Sequence, residues 1–100
     1  MTPEADILEH LSALGEISLT DALRQVPDRL TCLRAIDDLR QRGLLTLWIR
    51  TDDEESPTEL WHWREVMRNP QDLTRDLDLV LKKTPEGVNE WWKLYDLGPG

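Results

Sequence analysis

The chain has 100 residues, with 12 Lys and Arg against 20 Asp and Glu, for a net charge of −8. That length allows one domain with one modest core. It also excludes a membrane-spanning helix, because no apolar run approaches the roughly 18 residues such a helix needs, and the acid excess argues against a generic polyanion binder. Cys32 is the single cysteine, which excludes an intramolecular disulfide and suits a reducing cytoplasm. Met1–Asp6 carries no basic stretch and no apolar stretch, so no signal peptide is expected there.

The charge is uneven. Residues 1–23 hold five acids and no base. Residues 24–42 hold five arginines against Asp28, Asp37 and Asp38, for +2, and no other stretch is net basic. Residues 43–67 sum to −4 and residues 68–100 to −1.

Thr2 is placed to cap a first helix, with Pro3 at its first position and Glu4 and Asp6 at the positive end of its dipole. Ile7, Leu8, Leu11 and Leu14 form one apolar stripe, and Gly15 suits a left-handed C-cap, so helix 1 is expected over 3–14. Residues 16–19 read as a short strand. Thr20 then caps a short helix from Asp21 to Gln25 or Val26, with Ala22, Leu23 and Val26 inward, and Pro27 ends it. Asp28 caps a third helix to about Arg42, whose core stripe is Cys32, Ile36 and Leu39.

Residues 45–51 alternate and favour a strand, and Asp52-Asp53-Glu54-Glu55 reads as a solvated loop. It lacks the glycine and the ligand spacing of a Ca²⁺ loop. Ser56-Pro57-Thr58-Glu59 has the form of a capping box, and Leu60, Trp63, Val66 and Met67 follow at helical spacing. A helix from Pro57 to Arg68 is therefore favoured, although Trp61 and Trp63 also alternate as strand residues do. Leu77, Leu79 and Leu81 mark a second strand at about 76–83. Thr84-Pro85-Glu86-Gly87 opens a last helix with Val88, Trp91, Trp92 and Tyr95 on one face, and Gly98–Gly100 is a frayed end.

Two motifs carry a resemblance. Thr31-Cys32-x-Arg34-x-Ile36-x-x-Leu39-x-x-x-Gly43-Leu44-Leu45 resembles the helix-3 signature of winged helix-turn-helix regulators. Leu81-x-x-Thr84-Pro85-Glu86-Gly87, followed by Trp91-Trp92, is similar to the wing end of MarR-type and PadR-type regulators. The resemblance implies an α+β, mostly helical winged-helix domain over residues 1–100, with a small antiparallel wing sheet and an insertion at about 52–75. The insertion departs from the usual short wing hairpin.

In such proteins helix 3 enters the major groove. Carried over, this makes Arg29, Thr31 and Arg34 the contact set, with Asp28 at the helix start, Leu30 and Leu33 near it, and Arg24 and Arg42 on the flanking backbone. The function expected is duplex DNA binding by a transcriptional regulator. Asp37, Asp38 and the acidic loop oppose it, since phosphate contacts gain only where cations sit. The rival expectation is an acidic protein-interaction module that does not bind DNA.

Trp48, Trp63 and one of Trp91 and Trp92 are expected in the core. Adjacent helical residues point about 100° apart, so the other of that pair faces a partner. A homodimer through Trp91 or Trp92 and Tyr95, with Trp61 as a further partner contact, is expected, and a tryptophan pocket for a small apolar effector is the less supported variant. Neither a metal nor a cofactor is implied. No enzyme is expected, because no phosphate loop is present, His10 and His62 are far apart, and Cys32 lies on a core stripe.

Overall fold

The computed structural model describes residues 2–71 and 78–97, with side chains described as far as Lys93. The strand start at Leu77, the Tyr95 side chain and Gly98–Gly100 lie outside the described residues. Within them the chain is α+β and mostly helical, with five helices and a four-stranded antiparallel sheet.

Helix α1 (Pro3–Leu14) begins where the Thr2 side chain accepts from the Ala5 N–H, and ends at Gly15, whose φ is 85°. Ile7, Leu8 and Leu11 are buried as expected, but Leu14, at 66 % exposed, lies outside the core. Strand β1 (Glu16–Ser18) runs directly into helix α2 (Leu19–Gln25). The α2 cap is Ser18 and not Thr20: Ser18 is extended, and its hydroxyl accepts from the Asp21 N–H. The helix therefore starts earlier than expected and brings Leu19 into the core.

Helix α3 (Arg29–Gln41) is capped by Asp28 and buries Cys32, Leu33, Ala35, Ile36 and Leu39. It stops in a paired reversal, with Gly43 N–H bonded to the Arg40 carbonyl and Leu44 N–H to the Leu39 carbonyl. That pattern places its glycine in the left-handed region, and Gly43 has φ 74°.

Strand β2 (Leu45–Arg50) turns back through Thr51–Glu54 into strand β3 (Glu55–Pro57). Helix α4 (Leu60–Arg68) follows. The expected helix from Pro57 is thus divided. Ser56 and Pro57 pair with Ile49 and Trp48 on the edge of β2, where a proline costs no ladder donor. Glu59 takes the N-cap position without a side-chain bond, so the capping box does not form.

Strand β4 (Leu79–Lys83) pairs with both β1 and β2, giving the order β1-β4-β2-β3. Helix α5 (Pro85–Leu97) then packs against α1. The two resemblance motifs meet at this point. The Thr84 hydroxyl donates to the Gly43 carbonyl at 2.9 Å and accepts from the Gly87 N–H at 3.0 Å. Gly87 lies against the Leu44 carbonyl, so closely that a Cβ there would collide with it.

One sheet face, with Leu45, Leu47 and Leu81, joins the helices in the core. The other carries an ionic lattice. Arg50 pairs with Glu16 and Glu55, Lys82 pairs with Glu55, and the Lys82 ammonium sits 4.4 Å from the Trp48 ring centroid. Trp48 is therefore half-buried beneath Lys82 and not part of the core, its Nε1 donating to Thr46 Oγ1 at 3.0 Å.

Candidate interaction surfaces

Helix α3 turns Leu30, Thr31, Arg34, Asp38 and Gln41 outward. Its amphipathic pattern dictates this, because the core stripe occupies the opposite side of the helical cylinder. The six residues carried over as DNA contacts are placed very differently from one another.

Asp28 spends its carboxylate on the helix start: it accepts from the Thr31 N–H at 3.1 Å and from the Thr31 hydroxyl. The Thr31 side-chain and backbone bonds, with the Arg34 charge nearby, outweigh desolvation and hold the Asp28 carboxyl below its ordinary 3.8. Thr31 is exposed, but its hydroxyl proton is committed to Asp28. Arg29 is half-buried and donates from Nε to the Pro70 carbonyl, so it is turned toward the segment after α4. Arg24 lies 3.7 Å from Asp21. Arg42 lies 3.4 Å from Asp38 and 3.3 Å from Glu90 on α5. Arg34 is exposed and makes no ion pair among the described residues. Leu33, expected near the contact set, is fully buried, because it falls on the core side of the stripe; Leu30 is 40 % exposed.

Asp38 shares the outward face with Arg34, whereas Asp37 is drawn toward α4. Asp37 Oδ1 accepts from Trp63 Nε1 at 2.7 Å and from Arg40 Nη2 at 2.9 Å, and Oδ2 accepts from Gln41 Nε2 at 2.6 Å. Burial pushes the Asp37 carboxyl up, but these three bonds and the Arg40 charge overcome it and leave it below 3.8. The sequence reading did not bring these residues together. One signal pointed there: Asp37 follows the core residue Ile36, which sets it on the margin of the buried stripe facing the insertion.

The insertion itself presents two surfaces. Asp52, Asp53 and Glu54 are exposed at the β2–β3 turn. On α4, Trp63 and Val66 point inward, while Leu60 and Trp61 are 45 % and 59 % exposed. Trp61 stacks on His62 with ring centroids 3.7 Å apart. On α5, Trp91 is half-buried and Trp92 is 54 % exposed, so neither takes the core position expected for one of the pair.

No helix among the described residues is long and apolar enough to cross a membrane. The chain matches no protein family, no curated protein and no solved structure.

Proposed function

We propose that the chain is a winged helix serving as a protein-interaction module, and that helix α3 does not read DNA. The strand order supports the winged-helix part. The strand before α2 pairs with the strand before α5, which in turn pairs with the strand after α3, and the Gly43–Leu44 turn is locked to Thr84 and Gly87. On this reading β3 and α4 form an insertion within the wing.

The observation that carries the functional part is how the arginines are used. Arg29 is turned to the Pro70 carbonyl, Arg42 stands between Asp38 and Glu90, and Arg24 forms with Asp21 an exposed pair that is itself readily exchanged but adds no net charge. The outward face of α3 then offers Arg34 beside Asp38, close to neutrality. Binding to duplex DNA gains mainly from cations that release phosphate counterions, and a near-neutral helix with three acids at the wing turn gains little. Exposed Leu60, Trp61 and Trp92 fit the composition of protein contacts instead.

Fluorescence anisotropy with a labelled random duplex in about 50 mM salt tests this reading. No binding is expected with the protein at micromolar concentration. Binding that disappears in Arg34→Glu would restore the DNA reading.

A further inference from the structure

We propose that the groove between α3 and α4 docks an acidic peptide segment anchored by a bulky apolar side chain. This deepens the interaction-module reading and rests on it. The groove has a volume of about 520 Å³, within the range in which ligand sites fall.

Its chemistry sets the occupant. Trp63 and Met67 supply an apolar wall, and Leu60, 45 % exposed, extends it outward. Residues four apart share a helix face, so Leu60, Arg64 and Arg68 form one ridge along the groove. Arg64 makes no ion pair among the described residues. Arg68 reaches Glu65 at 3.4 Å, with side chains 73 % and 44 % exposed, a pair of the kind worth little and readily exchanged. The carboxylate lining the groove, Asp37, already receives donors from Trp63, Arg40 and Gln41. It therefore presents little free negative charge to a ligand.

A cationic ridge over an apolar wall is unusual ground on a chain of charge −8. It is complementary to carboxylates flanking a Trp, Phe or Leu. Complementarity of this kind selects partners and speeds encounter. A second hollow of about 240 Å³ shares Arg40, Leu60 and Trp63 with the groove and continues to Leu45–Leu47 of β2. Pairing of β2 with β3 begins at Trp48, and the Leu47 carbonyl beyond it accepts from the Thr58 N–H at 2.9 Å, so side chains rather than a free strand edge supply the contacts along this path. A peptide chain fits this combination better than a nucleic acid, whose phosphates have no use for the apolar wall.

The test is a selection of displayed random peptides about twelve residues long on the whole chain. Enriched sequences should combine Asp or Glu with Trp, Phe or Leu. Their affinity should fall roughly tenfold for Arg64→Glu/Arg68→Glu, which alters only exposed positions, and also for Leu60→Ser, with unchanged far-UV circular dichroism. Selection of basic or uncharged peptides, or no enrichment, would overturn the proposal. So would self-association of the chain that the double substitution abolishes, since the occupant would then be a second copy, or displacement of the peptides by nucleic acid. Acidic peptides that bind wild type and double variant alike would place the contact elsewhere and leave the interaction-module reading intact. Arg34-dependent duplex binding would overturn that reading alone.

Discussion

The Trp63 indole donates its N–H to Asp37 Oδ1 across 2.7 Å, joining the helix of the insertion to the third helix of the core. Trp63 is 2 % exposed, so the ring also fills core volume. The two contributions separate by substitution. Trp63→Phe keeps an aromatic ring and loses the bond to a charged acceptor, for an expected loss of about 2 kcal/mol. Trp63→Ala adds a cavity and should cost about 3–5 kcal/mol. Urea unfolding reads both. A Trp63→Phe/Asp37→Ala cycle should show a coupling of about 1–2 kcal/mol, and additive losses would mean that the bond does not join the helices.

Acid sensitivity follows from the same cluster. Burial raises the Asp37 carboxyl, while the bonds from Trp63, Arg40 and Gln41 and the Arg40 charge lower it further than burial raises it, to a net position below 3.8. A carboxyl held lower in the folded chain than in the unfolded chain binds fewer protons when folded. Its stabilisation is complete above the unfolded value and is lost as pH falls through the folded value. The contribution of Asp37 to the urea midpoint should therefore be full and independent of pH near neutrality and decline below about pH 4. Asp37→Asn should flatten part of that decline. Asp28 and Glu55 are also held low by their partners and act in the same direction. An unchanged acid slope in Asp37→Asn would show that the carboxylate is not held by its neighbours.

Local rules explain why much of the fold could be read from sequence. The caps at Thr2 and Asp28, the stops at Gly15 and Gly43, and the stripe of Cys32, Ile36 and Leu39 each depend on a few adjacent residues. The failures lie where distant partners compete. Ser56 and Pro57 could open a helix, but the free edge of β2 takes them into a strand. Trp48 has the bulk of a core residue, yet strand alternation sets it with Thr46 and Arg50, opposite Leu45 and Leu47, on the sheet side held by Lys82 and Glu55. The arginines of residues 24–42 give a basic stretch in sequence. In space, Asp21, Asp38 and Glu90 draw in two of them, and Glu90 lies 48 residues from Arg42, beyond any local pattern.

Cys32 is fully buried on α3, and burial pushes its thiol up to about 11 despite the nearby Arg29 charge. Thiolate is the reactive form, so the native chain at pH 8 should resist a disulfide reagent such as 5,5′-dithiobis(2-nitrobenzoate). Labelling should accelerate with urea in parallel with global unfolding. Rapid stoichiometric reaction without denaturant would mean that α3 opens locally.

Gly87 ties α5 to the turn after α3. Its Cα faces the Leu44 carbonyl, with no room for a Cβ, and backbone rather than a flexible side chain is what stands in the way. Gly87→Ala should therefore destabilise by about 1–3 kcal/mol, although alanine ordinarily favours a helix over glycine. Thr84→Val tests the polar half of the same junction: it keeps the shape but removes the donor to Gly43 and the acceptor for Gly87 N–H. A loss of about 1–2 kcal/mol is expected. Both should be read by thermal and urea unfolding. Stabilisation by Gly87→Ala would show that α5 does not sit against Leu44 and that the two motifs do not form one junction.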